Sequence, residues 1–118
     1  MTYHYINLSY LNKMAGDDIE TQRTLLIMLF EELSAAIPQM QGYLEKEQWD
    51  ELKSAAHKMK STLSFTGNAV MQEANIALWQ RLSDGIYSPS LSPLLQVLTQ
   101  TGPKVIEELK QASAELAG

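Results

Sequence analysis

The chain has 118 residues, a net charge of −5 and 45% apolar residues, enough for one hydrophobic core and too apolar for a disordered chain. It contains no cysteine, which excludes disulfides, zinc–thiolate sites and thiol nucleophiles. The acidic balance argues against nucleic acid, which needs a concentrated basic face, and the longest unbroken apolar run, Leu25 to Phe30, is far too short to span a bilayer.

MTYHYINLSYL at the N-terminus lacks a basic start followed by an apolar stretch, so no signal peptide is expected and a cytoplasmic location is. His4 sits in this terminal stretch and carries no functional expectation. Asn7 to Ala15 reads as a short leading helix stopped by Gly16. Asp17 and Asp18 supply a cap and negative charge for a second helix. Its seam is Leu26, Phe30, Leu33, Ile37, Met40 and Leu44, alternately four and three apart and therefore on one face. Pro38 removes one backbone bond inside this helix and predicts a kink. A third helix runs from about Gln48 to Phe65 with the seam Trp49, Leu52, Ala56, Met59 and Leu63, and Thr66-Gly67-Asn68 ends or bends it. A fourth directs Val70, Ala74, Leu78 and Leu82 inward and stops at Ser83-Asp84-Gly85. Tyr87 to Ser90 is a loop. The last helical region begins near Pro89 to Leu91 and ends near Ala117, with Thr101-Gly102-Pro103 expected to interrupt it as a kink or a new helix start. No repeat or linker is visible. Short connections between long amphipathic segments predict an all-α, antiparallel up-down four-helix bundle, one domain with its core over about 17–117 and a short N-terminal cover helix.

One constellation carries chemistry. His57 is offset by about 100° from Ala56 on a helix of 3.6 residues per turn, so it lies on the flank of the bundle. Lys60, Ser61 and Ser64 follow at three, four and seven residues, on the same face. No acidic residue falls between Lys53 and Ser64. Imidazole titrates near neutral pH and offers an unprotonated nitrogen as nucleophile. A lysine offsets the charge that phosphorylation adds, and hydroxyls can hydrogen-bond the ring or the phosphoryl oxygens. Taken singly, each of the four is an ordinary helix-surface residue, and a lone flank histidine is more often just that.

The segment AAHKMKSTLSFTGN, residues 55 to 68, resembles the signature of histidine phosphotransfer (HPt) domains. That signature is an alanine–histidine pair, an apolar residue two after the histidine, lysine at three, a small residue at four and glycine at ten. Ala56, His57, Met59, Lys60, Ser61 and Gly67 fill these places. The preceding MLFEELSAAIPQMQGYLEKEQWDELKSAAH is similar to the family's lead-in, including a proline inside the earlier helix, and the likeness extends over roughly Leu8 to Gly85. The chain departs from the pattern at Ser61, where glycine is common, at Asn68, where an apolar residue is frequent, and at Gln48, often acidic. The resemblance implies phosphorylation of His57 on a ring nitrogen, Lys60 as its charge partner, and close packing at Gly67. It further implies aspartates of receiver domains as phosphoryl donor and acceptor, and a hybrid sensor histidine kinase upstream, with no cofactor and no metal. Gly67 has a second reading as a plain helix-terminal glycine.

Leu25 to Phe30 is apolar all round, so about two of its residues must point away from the core. Either the N-terminal helix, through Ile6, Leu8, Tyr10 and Leu11, covers them, or they form a partner patch. The resemblance implies that receivers dock on such a patch beside the histidine, and Ile27 and Met28, off the seam, are the candidates. Three rival readings can be compared with this one. A binding or scaffold bundle without phosphotransfer would be favoured by a missing nucleophile, but His57 and Lys60 are present. A di-metal bundle needs Glu-x-x-His pairs, and position 54 is serine. An autonomous kinase needs a Gly-rich phosphate loop that the chain lacks.

Overall fold

Apolar residues three and four apart build a second helix that is unbroken past Pro38. The computed structural model describes residues 3–117, with helices α1 (Ser9–Ala15), α2 (Ile19–Glu45), α3 (Trp49–Thr66), α4 (Ala69–Ser83) and α5 (Ser92–Ala117), the last preceded by a 3-10 turn at Pro89–Leu91. No strand occurs among the described residues. Helices α2 to α5 form the expected bundle: α3 lies between α2 and α4, α5 closes the ring against α4 and α2, and α1 lies across α2 and α3. Antiparallel pairing of α2 and α3 shows in the hydrogen bond from the Thr62 hydroxyl to Glu32 (2.8 Å). Further along the same groove, Tyr43 and Glu51 line its opposite end. The bundle is 46 Å long and about 20 Å across, close to the length of α2 at 1.5 Å per residue.

Side-chain caps fix where the helices begin. Asp18 caps α2, accepting from the Thr21 hydroxyl (2.6 Å) and the Glu20 N–H (3.1 Å). The Thr21 bond, with help from the backbone N–H groups, holds its carboxyl below the ordinary aspartate range despite some desolvation. Asn68 caps α4 through the Met71 N–H (2.9 Å) and uses its amide to donate to the Tyr5 carbonyl (2.8 Å). Thus the turn between α3 and α4 is tied to the N-terminal segment. Asn7 N–H donates to the Thr66 carbonyl (2.9 Å), and the buried Glu108 carboxylate accepts from the N–H groups of His4 and Tyr5 (2.9 and 2.7 Å).

Several expectations are corrected. The leading helix begins at Ser9, because Asn7 is spent on Thr66 and its side chain accepts from the Ser9 N–H (3.0 Å). On α2, Leu29 is buried and Phe30 only half-buried, with the Lys110 ammonium 5.8 Å from its ring centre. Trp49 is likewise half-buried, stacked on Tyr87. Val70 points out, 60% exposed, and Met71 takes the inward place. The Asn68 cap sets the first turn so that the seam runs through Met71, Ala74, Asn75, Leu78 and Leu82. No new helix starts at Thr101-Gly102-Pro103: α5 is one continuous helix of 26 residues with Pro103 inside it. Gly102 is there for proximity, since a Cβ would lie 2.5 Å from the Ile37 Cδ1 of α2. Here the tip of the Ile37 side chain occupies the space a Cβ would take, and packing along α2 and α5 overrides the local helix-breaking preference.

Candidate functional site

α3 holds its core face through Leu52, Ala56, Met59 and Leu63, and this leaves His57 exposed on the side toward α4. The imidazole faces Trp79 of α4, with ring centres 6.3 Å apart and planes 38° inclined. His57, Lys60, Ile76, Trp79 and Gln80 surround a recess of about 260 Å³ with Ala56 and Asn75 behind them. A second recess of about 250 Å³, between Lys60, Ser64, Gln72, Asn75 and Ile76, continues along the same groove. No carboxylate borders either recess among the described residues. Beside a nucleophilic imidazole, such surroundings suit an incoming anion and one fixed cation.

Lys60 shares the recess with His57, as the helix spacing predicts. Ser61 does not: it is exposed and lines the groove on the opposite flank, between α2 and α3. Ser64 borders the second recess, but its hydroxyl donates to the Lys60 carbonyl one turn back (2.9 Å). Its proton is thereby engaged in its own helix, and only its lone pairs face outward. The four residues expected on one helix face are thus divided by flank: His57, Lys60 and Ser64 border the α4 side and Ser61 the α2 side.

Gly67 adopts the left-handed conformation that ends α3 (φ 69°, ψ 12°). A Cβ there would meet the Asn7 carbonyl oxygen, and would lie 2.7 Å from the Asn7 Cβ. Its α-carbon face is covered by the N-terminal segment, which accounts for glycine by packing and not by docking. Ile27 and Met28 also separate. Met28 is 49% exposed, one turn before Glu32 on the stripe Met28, Glu32, Ala35, Gln39 that faces α3. Ile27 is half-buried on the stripe of Ser34 and Pro38, which lines a groove with Thr99, Pro103 and Ile106 of α5. Adjacent residues on a helix diverge by about 100°, and Met28 is the more exposed of the two. The N-terminal helix covers part of the apolar run: Leu11 is fully buried with Leu26 and Leu29, while Tyr10 rests on Phe65 (5.1 Å between ring centres) and stays 46% exposed.

The α4 side of the site escapes sequence reasoning. Trp79, Ile76 and Asn75 have no motif of their own, and only the tertiary pairing of α3 with α4 brings them to His57. One signal was available: Asn75 is an amide within an apolar seam, and a buried amide needs a reason.

A family model described as Hpt domain matches residues 24–86, covering α3, α4 and all but the first turn of α2. The chain therefore belongs to the histidine phosphotransfer domain family. Hpt domains are phosphocarrier modules of two-component phosphorelays, not kinases, and interact with receiver domains and kinases. No curated protein and no solved structure matches the chain. No helix among the described residues is long and apolar enough to cross a membrane.

Proposed function

We propose that His57 accepts a phosphoryl group from the aspartyl phosphate of one receiver domain and passes it to the aspartate of another. The observation that carries this reading is the placement of an exposed imidazole beside Lys60 in a recess free of carboxylates. In the step, an unprotonated ring nitrogen attacks phosphorus, an N–P bond forms, and the aspartyl O–P bond breaks to release carboxylate. The proton on the other ring nitrogen stays in place, and the return step is the reverse. Lys60 offsets the charge that builds on the phosphoryl oxygens. Ser61, a small exposed residue one turn after His57, leaves room for a partner's active site. The lone pairs of Ser64 are acceptors for the Lys60 ammonium.

For the receiver-docking surface we propose Met28 together with the exposed Tyr10, Met14 and Ile19 of α1 and the start of α2; Ile27 is half-buried and Gly67 lies beneath Asn7. Apolar contact of this kind supplies affinity while Lys60 contributes to orientation. A hybrid sensor histidine kinase is the proposed source of phosphoryl groups, and the cytoplasm, where ATP charges such kinases, the proposed compartment.

The decisive experiment mixes the protein with a phosphorylated receiver domain and follows acid-labile, base-stable phosphate on the chain. Parent protein is expected to take up label, and His57→Gln none, with unchanged helical content and melting because the side chain contributes little burial. Uptake by His57→Gln would refute the assignment. No uptake by the parent from any receiver would leave a scaffold module of the same fold.

A further inference from the structure

We propose that Asn75 of α4 is a positioning residue of this site: its side-chain oxygen receives the Lys60 ammonium and aims it at the phosphoryl group on His57. The proposal rests on the phosphoacceptor reading of His57.

Asn75 is 1% exposed. Its amide N–H donates to the carbonyl of Ala56, the residue before His57 (2.9 Å). That bond fixes the orientation of the carboxamide, so the oxygen is the atom left over, and it has no hydrogen-bond partner among the described residues. A buried acceptor without a donor is disfavoured and calls for an explanation. Both recesses beside His57 are bordered by Asn75, and among the described residues Lys60 is the one cationic residue that borders both with it. The remaining donors fit less well. The Trp79 ring is placed against the imidazole, and Gln72 and Gln80 each border only one recess. An ammonium forms the stronger, charge-assisted bond to a carbonyl oxygen, and among the described residues no carboxylate borders either recess to compete for it.

The chemistry gives this contact a purpose. An amide oxygen only accepts, so it cannot bind phosphoryl oxygens itself. Lysine has three N–H donors and can hold Asn75 with one while offering the others to the phosphoryl group. A free lysine would lose the rotamer freedom of its long stem in the transition state; one already anchored has lost it beforehand.

The test is a double-mutant cycle at low salt. Transfer from a phosphorylated receiver domain is timed for the parent, Asn75→Leu, Lys60→Ala and the double variant, with Asn75→Ala replacing Asn75→Leu should the latter fail to fold by circular dichroism. Asn75→Leu is expected to slow transfer by about three- to tenfold, the effect of a misplaced rather than a missing charge, and the double variant to be no slower than Lys60→Ala alone. An equal slowing by Asn75→Leu in both backgrounds, or none in either, overturns the proposal, since a purely structural asparagine acts whether or not Lys60 is present. A second readout needs no phosphoryl transfer. The side-chain ammonium of Lys60, followed by nitrogen-15 NMR, is expected to show slowed proton exchange in the parent and fast exchange in Asn75→Leu; identical spectra overturn the proposal. Should the parent accept no phosphate, the phosphoacceptor reading fails on its own while the NMR comparison still decides the contact.

Discussion

At the scale of single residues, His57 and Lys60 have their places because α3 turns Ala56, Met59 and Leu63 into the core and leaves positions 57 and 60 outside. The charge of Lys60 acts at an exposed site, where water and salt weaken it. Lys60→Ala is therefore expected to slow phosphoryl transfer about tenfold at low salt and progressively less as salt rises. Rates measured across a salt series check this, and an unchanged rate at the lowest salt would remove the role. Trp79 makes the same site visible. Its ring faces the imidazole, whereas the other tryptophan, Trp49, stacks on Tyr87 near the far end of α3 (6.2 Å between ring centres). In a Trp49→Phe background, phosphorylation of His57 is expected to change the Trp79 emission, because a dianionic group arrives beside the indole. Emission that stays constant while label enters the chain would place the phosphate elsewhere.

At the scale of helices, much of the fold was legible in the sequence, for a physical reason. The seams of α2 and α3 follow the 3.6-residue period closely, and the cap Asp18 sits where short polar side chains favour helix starts. The site was legible on one helix only, since spacing along α3 groups His57 with Lys60 but says nothing of which flank α4 covers. The failures share a cause. Val70 against Met71 is a choice of one position at a helix start, decided by the Asn68 cap rather than by hydrophobicity. Gly102-Pro103 carries two helix breakers, and packing against α2 overrides both. This last point is testable. An alanine in a helix is worth about 1 kcal/mol over glycine, but at position 102 its Cβ would meet the tip of Ile37. Ile37→Val removes that tip. Gly102→Ala is thus expected to stabilise the Ile37→Val protein by up to about 1 kcal/mol, and to help the parent less or harm it. Urea denaturation of the four proteins measures the difference; equal effects in both backgrounds would show that proximity to Ile37 is not why glycine stands there.

At the scale of the whole molecule, the bundle is fastened at one end by its N-terminal segment. Tyr3 to Asn7 crosses the junction of α3, α4 and α5, held by Glu108, Asn68 and the Thr66 carbonyl, with Gly67 lying under Asn7. Removing the buried carboxylate leaves two backbone N–H groups without their acceptor, so Glu108→Ala is expected to cost about 2–4 kcal/mol in chemical denaturation; a loss within error of zero would mean that this clasp contributes nothing. Further along, the Tyr3 hydroxyl donates to Glu115 (2.8 Å). Its pKa is raised from 10.0 to about 12, by desolvation first, then by the hydrogen bond to Glu115 and the negative charges of Glu115 and Glu108. The sign of the pH dependence follows from linkage. The folded state holds the phenolic proton more tightly than the unfolded chain does, so the contribution is complete below pH 10 and declines as pH rises toward 12. Tyr3→Phe lacks that contribution at every pH. Its melting temperature is accordingly expected to lie below that of the parent near neutrality, and the gap to close between pH 10 and pH 12. Thermal melts of both proteins across this window are the measurement. A gap that stays constant to pH 12 would show that the folded state does not hold the phenolic proton more tightly, and a gap absent at neutral pH would show that Tyr3 stabilises by ring packing alone and that its hydroxyl bond to Glu115 does not hold the segment in place.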